Sequence, residues 1–407
     1  MASEQPPQKS PLDHVCLGLL AYYLSSLLPL LGVVFGHGYL RPSPGRPHDP
    51  DHLLAAFARW DGQWYAQIVR EGYTYDEHKN SNVAFFPAYP LLARLTVQAT
   101  GLAPDLALLL VAHLSLAATF VVLAAYLHQR YRNDAPAVAT AALLAFGLLP
   151  TTFFFRMAYS ESLFLLASVL ALYGMQRRWP LLALAGIIGL ATATRPVGVA
   201  LLPPFFLHIC QRSSSWGGAA WRCLLWLPLA CWGLLAYLAY LYAAFDDPLA
   251  FIHTQEHWRV RSAVPLPERL GALLRLEPLW SVFDASSPCY WRRHEPQGNL
   301  LFSLHLANPF YFLLAVVLLV LGGCKGWLNR LEMSLAAGLL LIPDVTRSHE
   351  MCLCSMGRFA AAVLPMYLVL GQMLARLPAA LIALLAGLSG FFLGVYAALF
   401  AAWYRFF

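Results

Sequence analysis

The sequence predicts an all-α, polytopic transmembrane helical protein, and three observations carry that prediction. The chain is 59% hydrophobic and only 12% charged, with a mean hydropathy of +0.58. A soluble domain carries roughly 25% charged residues, so this surface suits lipid better than water. Apolar stretches recur along the chain, each long enough to cross about 30 Å of hydrocarbon as a helix. The basic residues fall in short loops between those stretches, which is how orientation signals look. The net charge of +6 is modest and dispersed in this way, so it does not point to a nucleic-acid partner.

Membrane helices are expected near 15–36, 104–127, 136–155, 158–176, 179–210, 223–244, 300–322, 331–343, 357–375 and 378–403. Residues 1–407 then form a single integral membrane domain with about ten to eleven segments. The first apolar run is too long for the apolar core of a signal peptide and reads as a retained helix. The stretch 179–210 is interrupted by Thr194-Arg195-Pro196. Proline removes a helix hydrogen bond and arginine is costly in lipid. Two half-helices forming a hairpin are expected there, with Arg195 near the outer face.

Charge tests that layout. Arg130 and Arg132, Arg177 and Arg178, Arg212 and Arg222, Lys325 and Arg330, and Arg376 all fall on one side if 179–210 is a hairpin. By the positive-inside rule that side is the cytoplasm. The two long polar stretches, 37–103 and 245–299, then face outward. Of the eight cysteines, Cys16, Cys210, Cys223 and Cys231 lie in or beside apolar runs and read as core residues. Cys289 could pair with Cys352 or Cys354.

The first outer stretch carries the most chemistry. A helix is expected from about Asp51 to Gly72, with Asp51 suited to its N-cap. It contains Arg59-Trp60-Asp61-Gly62-Gln63-Trp64-Tyr65. At helical spacing Trp60 shares a face with Trp64, and Asp61 with Tyr65. Leu53, Leu54, Phe57, Trp60, Trp64 and Ile68 can form an apolar stripe for a helix lying flat on the membrane. Two readings stand side by side. One is a carbohydrate site: Asp61 takes a proton, Arg59, Arg70 or Arg195 holds a phosphate, and Trp60, Trp64 and Tyr65 bind apolar ring faces. The other is an aromatic interfacial belt in which Asp61 only pairs with an arginine. Asp49-Pro50-Asp51 has the form of a metal-binding acid pair, but Asp51 reads more readily as a helix cap than as a metal ligand.

Glu161, in Tyr159-Ser160-Glu161-Ser162, is the one acid of its apolar region. A buried glutamate needs a partner, and Arg156 is the nearest candidate in sequence. It reads either as a structural ion pair or as a substrate-binding carboxylate. Asp246 and Asp247 can cap a helix or line a site. His253 and His257 have a spacing that can hold zinc, but no third ligand accompanies them. A divalent cation is therefore left open, with no ligand cluster to support it. Arg358, in Gly357-Arg358-Phe359, can face a lipid phosphate or extend to the headgroups.

Six pieces in order resemble the GPI mannosyltransferase 2 (PIG-V type) family and its bacterial relatives, which belong to the GT-C class of membrane glycosyltransferases. They are Arg59-Trp60-Asp61-Gly62-Gln63-Trp64-Tyr65, Ala84-Phe85-Phe86-Pro87-Ala88-Tyr89-Pro90, Tyr159-Ser160-Glu161-Ser162-Leu163-Phe164, Thr194-Arg195-Pro196-Val197-Gly198, Asp246-Asp247-Pro248-Leu249-Ala250-Phe251 and Gly357-Arg358-Phe359. The resemblance implies a GT-C fold with interfacial helices in the first outer loop. It also implies transfer of a sugar, typically mannose, from a polyprenyl- or dolichyl-phosphate donor to a glycolipid or glycan acceptor. Transfer would proceed with inversion on the non-cytoplasmic face. Asp61 matches the family's catalytic acid, and Glu161, Arg195 and Asp247 match site-lining positions. The short soluble loops resemble the bacterial members, which implies a bacterial plasma membrane, or the endoplasmic reticulum if the source is eukaryotic. Two other functions remain: a transporter or lipid flippase with Arg195 and Glu161 in its path, and a scaffold subunit.

Overall fold

Residues 11–43, 53–131, 136–294 and 303–404 are described by the structure, a computed structural model, and no strand occurs among them. The helices are, in order, α1 (Pro11–Tyr39), α2 (Asp61–Glu71), α3 (Ala88–Thr100), α4 (Pro104–Tyr131), α5 (Pro136–Leu148), α6 (Glu161–Gln176) and α7 (Leu181–Thr194). Next come α8 (Leu202–Gln211), α9 (Trp216–Ala230), α10 (Trp232–Phe245), α11 (Ala250–His253), α12 (Leu266–Leu274), α13 (Glu277–Ser281) and α14 (Trp291–His294). The last are α15 (Leu304–Cys324), α16 (Arg330–Pro343), α17 (Met356–Ala361), α18 (Leu364–Leu374) and α19 (Ala379–Ala401).

By length and composition, 4 of the described helices can cross a membrane alone: Asp13–Tyr39 within α1, α4, α15 and α19. The count rises to 6 if two bent pairs are each one span. One pair is α5 with the 3-10 turn Pro150–Arg156, bent by 74°, and the other is α9 with α10, bent by 51°. Several other expected spans are shorter. The one expected near 357–375 is split into α17 and α18, and 331–343 ends in a π turn at Asp344–Ser348. Apolar periodicity locates such runs but does not reveal their bends.

The expected break at Arg195 is present. α7 ends at Thr194, a 3-10 turn runs Pro196–Leu201, and α8 follows. The chain comes back to where it entered, because Arg212 Nη1 donates to the Trp179 carbonyl at 2.8 Å. The hairpin expectation holds.

The basic segments gather at one end of the bundle. Arg130 at the end of α4 donates to the Trp327 carbonyl at 3.2 Å and pairs with Glu332 of α16 at 3.0 Å. Arg376 lies 4.6 Å over the Trp327 ring. Gln176, Arg178, Arg212 and Asn329 line one cavity. Glu161 begins α6 at the other end, so about 1.5 Å per residue separates the two ends along this helix.

α1 and α19 lie against each other along their length. Glycine permits the approach. A Cβ on Gly32 would stand 2.2 Å from the Gly394 carbonyl, and one on Gly36 would stand 2.0 Å from that of Ala398. Small residues four apart on both helices suit close packing in lipid, where van der Waals contact supplies the association. Buried Arg156 braces the bend after α5. It donates to Ser25 Oγ at 2.7 Å, Gly147 O at 3.2 Å and Thr152 O at 3.0 Å. It is therefore not the partner of Glu161, contrary to the sequence expectation. The serines and carbonyls around it satisfy its donors instead.

Candidate active site

The first outer stretch is not one helix. Leu53–Ala58 forms a 3-10 turn, the chain breaks at Arg59 and Trp60, and α2 starts at Asp61. Trp60 has φ of 58°, a left-handed conformation costly for a residue with a side chain. Tyr159 holds this turn from below: its hydroxyl donates to Arg59 O at 3.2 Å and accepts from the Asp61 N–H at 3.2 Å. The Ala158 N–H donates to Phe57 O at 2.9 Å. Because of the break, Trp60 does not share a face with Trp64. Trp60 packs edge-on against Trp403 at 5.5 Å, whereas Trp64 stacks on Phe85 at 6.0 Å and meets Trp258 edge-on at 5.9 Å. The expected cap Asp51, together with His48, Asp49 and His52, lies outside the described residues.

Asp61 faces an arginine brought from far along the chain. Arg358 Nη1 lies 2.5 Å from Asp61 Oδ2, and Arg358 Nε also binds Glu161 Oε1. Arg195 Nη1 binds the same Glu161 oxygen. The Arg358 guanidinium is 4.4 Å from the Tyr159 ring centroid and 5.4 Å from that of Phe154, within range of a cation–π attraction. Thus each residue of Tyr159-Ser160-Glu161 has a separate task. Tyr159 holds the turn. Ser160 Oγ accepts from Tyr65 Oη at 2.8 Å and Arg195 Nη1 at 3.4 Å, and Glu161 joins the two arginines. As the first residue of α6, Glu161 also meets the positive end of that helix.

Exposure separates the two acids. The Glu161 side chain is 2% exposed and that of Asp61 is 29% exposed. Burial of a paired charge is costly unless its remaining lone pairs find partners. Among the described residues, buried Glu161 Oε2 and Arg347 Nε make no hydrogen bond. The first can accept a hydroxyl, and the second can donate to an anion.

Arg347 is the member that sequence reasoning missed. It sits in the π turn Asp344–Ser348, and π turns often mark functional sites. Its guanidinium and that of Arg195 each lie 5.7 Å from the Phe359 ring centroid. Asp61, Arg195 and Arg358 are all within its electrostatic reach. Among the described residues, three arginines therefore surround two carboxylates, which leaves one positive charge over. The available signal was a polar run, Thr346-Arg347-Ser348-His349-Glu350, next to an apolar segment.

Other expected residues lie elsewhere. The Arg59 side chain meets His37 Nδ1 at 3.3 Å and the Trp403 ring at 4.9 Å. Arg70 reaches Asp105 at 4.0 Å. Asp247 belongs to a clamp between the outer loops, accepting from Tyr75 Oη at 3.1 Å and pairing with His253 Nδ1 at 2.7 Å. Burial raises the pKa of Asp247, but His253, the Leu249 N–H and Tyr75 outweigh it, so the net shift is downward. Glu350 ties the second outer loop to the strand of chain carrying Arg347. It pairs with Arg259 at 2.7 Å and with Arg269. The disulfide Cys289–Cys352 fastens the same segment, with Cα atoms 5.1 Å apart, and Cys354 instead meets His305 Nδ1 at 3.6 Å. Among the described residues no group of three His, Cys, Asp or Glu side chains could hold a metal ion.

Residues 48–215 match the family model described as mannosyltransferase (PIG-V), which bears out the resemblance over that stretch. Asp61, Glu161 and Arg195 fall within it; Arg347 and Arg358 fall beyond it. The chain is 35% identical over 123 residues to GPI mannosyltransferase 2 of Drosophila pseudoobscura pseudoobscura, covering 28% of this chain and 26% of that protein. It therefore spans about a quarter of the length of that relative. Among solved structures it is similar to the Archaeoglobus fulgidus oligosaccharyltransferase tethered to an acceptor peptide. That likeness has a TM-score of 0.41 and 13% identity, covering 96% of this chain and 55% of the other.

Proposed function

We propose that this chain is a membrane mannosyltransferase of GT-C type. It would move the sugar, with inversion, from a polyprenyl- or dolichyl-phosphate donor to a hydroxyl of a glycolipid or glycan acceptor. The carrying observation is the partly exposed Asp61 at the edge of a buried network of Glu161, Arg195 and Arg358. The match to the PIG-V family model over 48–215 supports the same reading. A GPI-type glycolipid, as in the name of the fly relative, is the acceptor class we favour.

The chemistry follows from the arrangement. The acceptor hydroxyl attacks the anomeric carbon from the face opposite the phosphate. Its proton passes to an Asp61 oxygen as the new C–O bond forms. The bond from the anomeric carbon to the lipid phosphate breaks, and its electron pair leaves on the phosphate. Arg347 and Arg195 stabilise that charge, while Arg358 orients the Asp61 carboxylate. Glu161 Oε2 accepts a sugar hydroxyl. Trp64, Phe85 and Trp258 offer ring faces to the sugar, and Tyr65 fixes α2 against α6. Trp60 and Arg59 shape the turn that presents Asp61, and Asp247 acts from the loop clamp rather than on the donor.

The basic end is the cytoplasmic one by the positive-inside rule, which sets Asp61 on the far side. The disulfide Cys289–Cys352 supports that assignment, since such bonds persist in oxidising compartments. The transporter reading required Glu161 and Arg195 to line a path away from Asp61. Their connection to Asp61 through Arg358 favours the enzyme.

The test is Asp61→Asn, assayed in membranes with a polyprenyl-phosphate mannose donor. Turnover is expected to fall by about 10²–10⁴-fold, the usual contribution of a general base. Near-normal turnover would overturn the assignment.

A further inference from the structure

The end of the bundle opposite Asp61 holds a cavity of about 230 Å³, lined among others by Gln176, Arg178, His208, Gln211, Arg212 and Asn329. By the share of volume a liquid water takes, it has room for about eight waters. His208 is 3% exposed, and its Nε2 makes no hydrogen bond among the described residues. The same holds for Gln176 Oε1. The two atoms ask for different partners. With its proton on Nε2, the imidazole donates to an anion, and the amide oxygen accepts from a hydroxyl.

The cations around them are placed rather than incidental. α6 ends in the 6→1 turn in which glycine is usual: the Trp179 N–H donates to Gly174 O at 2.9 Å and the Arg178 N–H to Met175 O at 3.2 Å. Arg178 occupies the left-handed position there, with φ of 55°. A side chain at that position costs backbone energy that glycine would avoid. Arg212 is steered by its bond to Trp179 O at 2.8 Å, and Arg222 donates to Arg212 O at 3.1 Å. Among the described residues, the acid that reaches this neighbourhood is already occupied. Glu332 accepts from Tyr126 Oη at 2.5 Å, pairs with Arg130 at 3.0 Å and caps α16 through Asn329 N at 2.6 Å.

We propose that this cavity binds a phosphate ester that also carries a hydroxyl, and that its source is the headgroup of an anionic phospholipid. Arg178 and Arg212 take the phosphate, His208 Nε2 donates to it, and Gln176 Oε1 accepts the hydroxyl. The surroundings favour a lipid. Trp216 and Trp221 of neighbouring α9 are 89% and 68% exposed, and such rings sit at headgroup level. Basic pockets between membrane helices on the cytoplasmic side suit anionic headgroups. The site is independent of the proposed transfer reaction.

The test uses the full chain purified in neutral detergent and heated alone, with phosphatidylinositol, with phosphatidylcholine, or with soluble glycerol phosphate. Phosphatidylinositol is expected to raise the melting temperature by on the order of a few degrees, and phosphatidylcholine not at all. Arg212→Gln and Arg178→Gly should each abolish the rise. Arg178→Gly should melt at or above the wild-type temperature without ligand, because glycine accepts the left-handed backbone, so loss of folding cannot mimic loss of the site. If glycerol phosphate alone reproduces the rise and both variants lose it, the site stands and its ligand is soluble. Equal rises in wild type and both variants, or no rise with any phosphate ester, would refute the pocket.

Discussion

The two ends of this bundle handle arginine in opposite ways. At the Asp61 end, Arg195 and Arg358 are largely buried and joined to carboxylates, and Glu161 is buried with them. At the other end Arg178 and Arg212 are exposed around a cavity, and nearby Glu332 is taken up by Arg130. An exposed arginine near the headgroups costs little. Buried ions cost several kcal/mol each, and their attraction offsets this only in good geometry. The contrast therefore says more than a count of charges does. The buried arginines are fixed by their carboxylates, whereas Arg178 and Arg212 stand open to solvent around their cavity.

Breaking the buried network should have the largest effect. Glu161→Ala leaves Arg195 and Arg358 without their shared partner, and should destabilise the protein by about 3–5 kcal/mol. Thermal unfolding in detergent measures this; a change below about 1 kcal/mol would mean the network is not held as described. Next comes Arg347→Gln, which removes the charge that no carboxylate matches. A charged hydrogen bond contributes about 1.5–3 kcal/mol, so the KM for the lipid-phosphate donor should rise roughly 10- to 100-fold with folding intact. An unchanged KM would remove Arg347 from donor binding. Tyr159→Phe keeps the ring beneath Arg358 but deletes the hydroxyl that holds the 59–61 turn. At about 0.5–1.5 kcal/mol for the hydrogen bond, turnover should drop several-fold, which steady-state kinetics would resolve. The smallest effect belongs to the basic end. Arg376→Ala loses a cation–π contact with Trp327, about 0.5–1 kcal/mol, and an exposed hydrogen bond to the Gln372 carbonyl, and activity should not change. A marked activity loss there would blur the distinction between the ends.

Much of this was legible in the residues. The helical class, the break at Arg195 and the one-sided basic loops follow from hydropathy, proline chemistry and charge. Four of the expected site residues, Asp61, Glu161, Arg195 and Arg358, meet through direct contacts. Their meeting is a through-space fact that only ordered motifs hinted at. Other features had no local signal. Nothing in Arg59-Trp60-Asp61 announces a left-handed tryptophan, since that conformation is normally marked by glycine or asparagine. Arg156 looked like the natural partner of Glu161 because it is close in sequence, yet the bend after α5 turns it toward α1. Arg347 was hidden because a π turn has no residue signature, and Asp247 was misplaced because its clamp joins two loops distant in sequence.

The packing of α19 has a consequence for how the protein is made. Gly32 and Gly36 in the first helix receive the last one, and Trp403, just beyond it, packs on Trp60 and faces Arg59. Ribosomal synthesis delivers Asp61 well before α19. The turn carrying Asp61 therefore waits for Trp403 while all the helices between them are made. It gains that aromatic neighbour only once α19 has entered the bilayer and found α1.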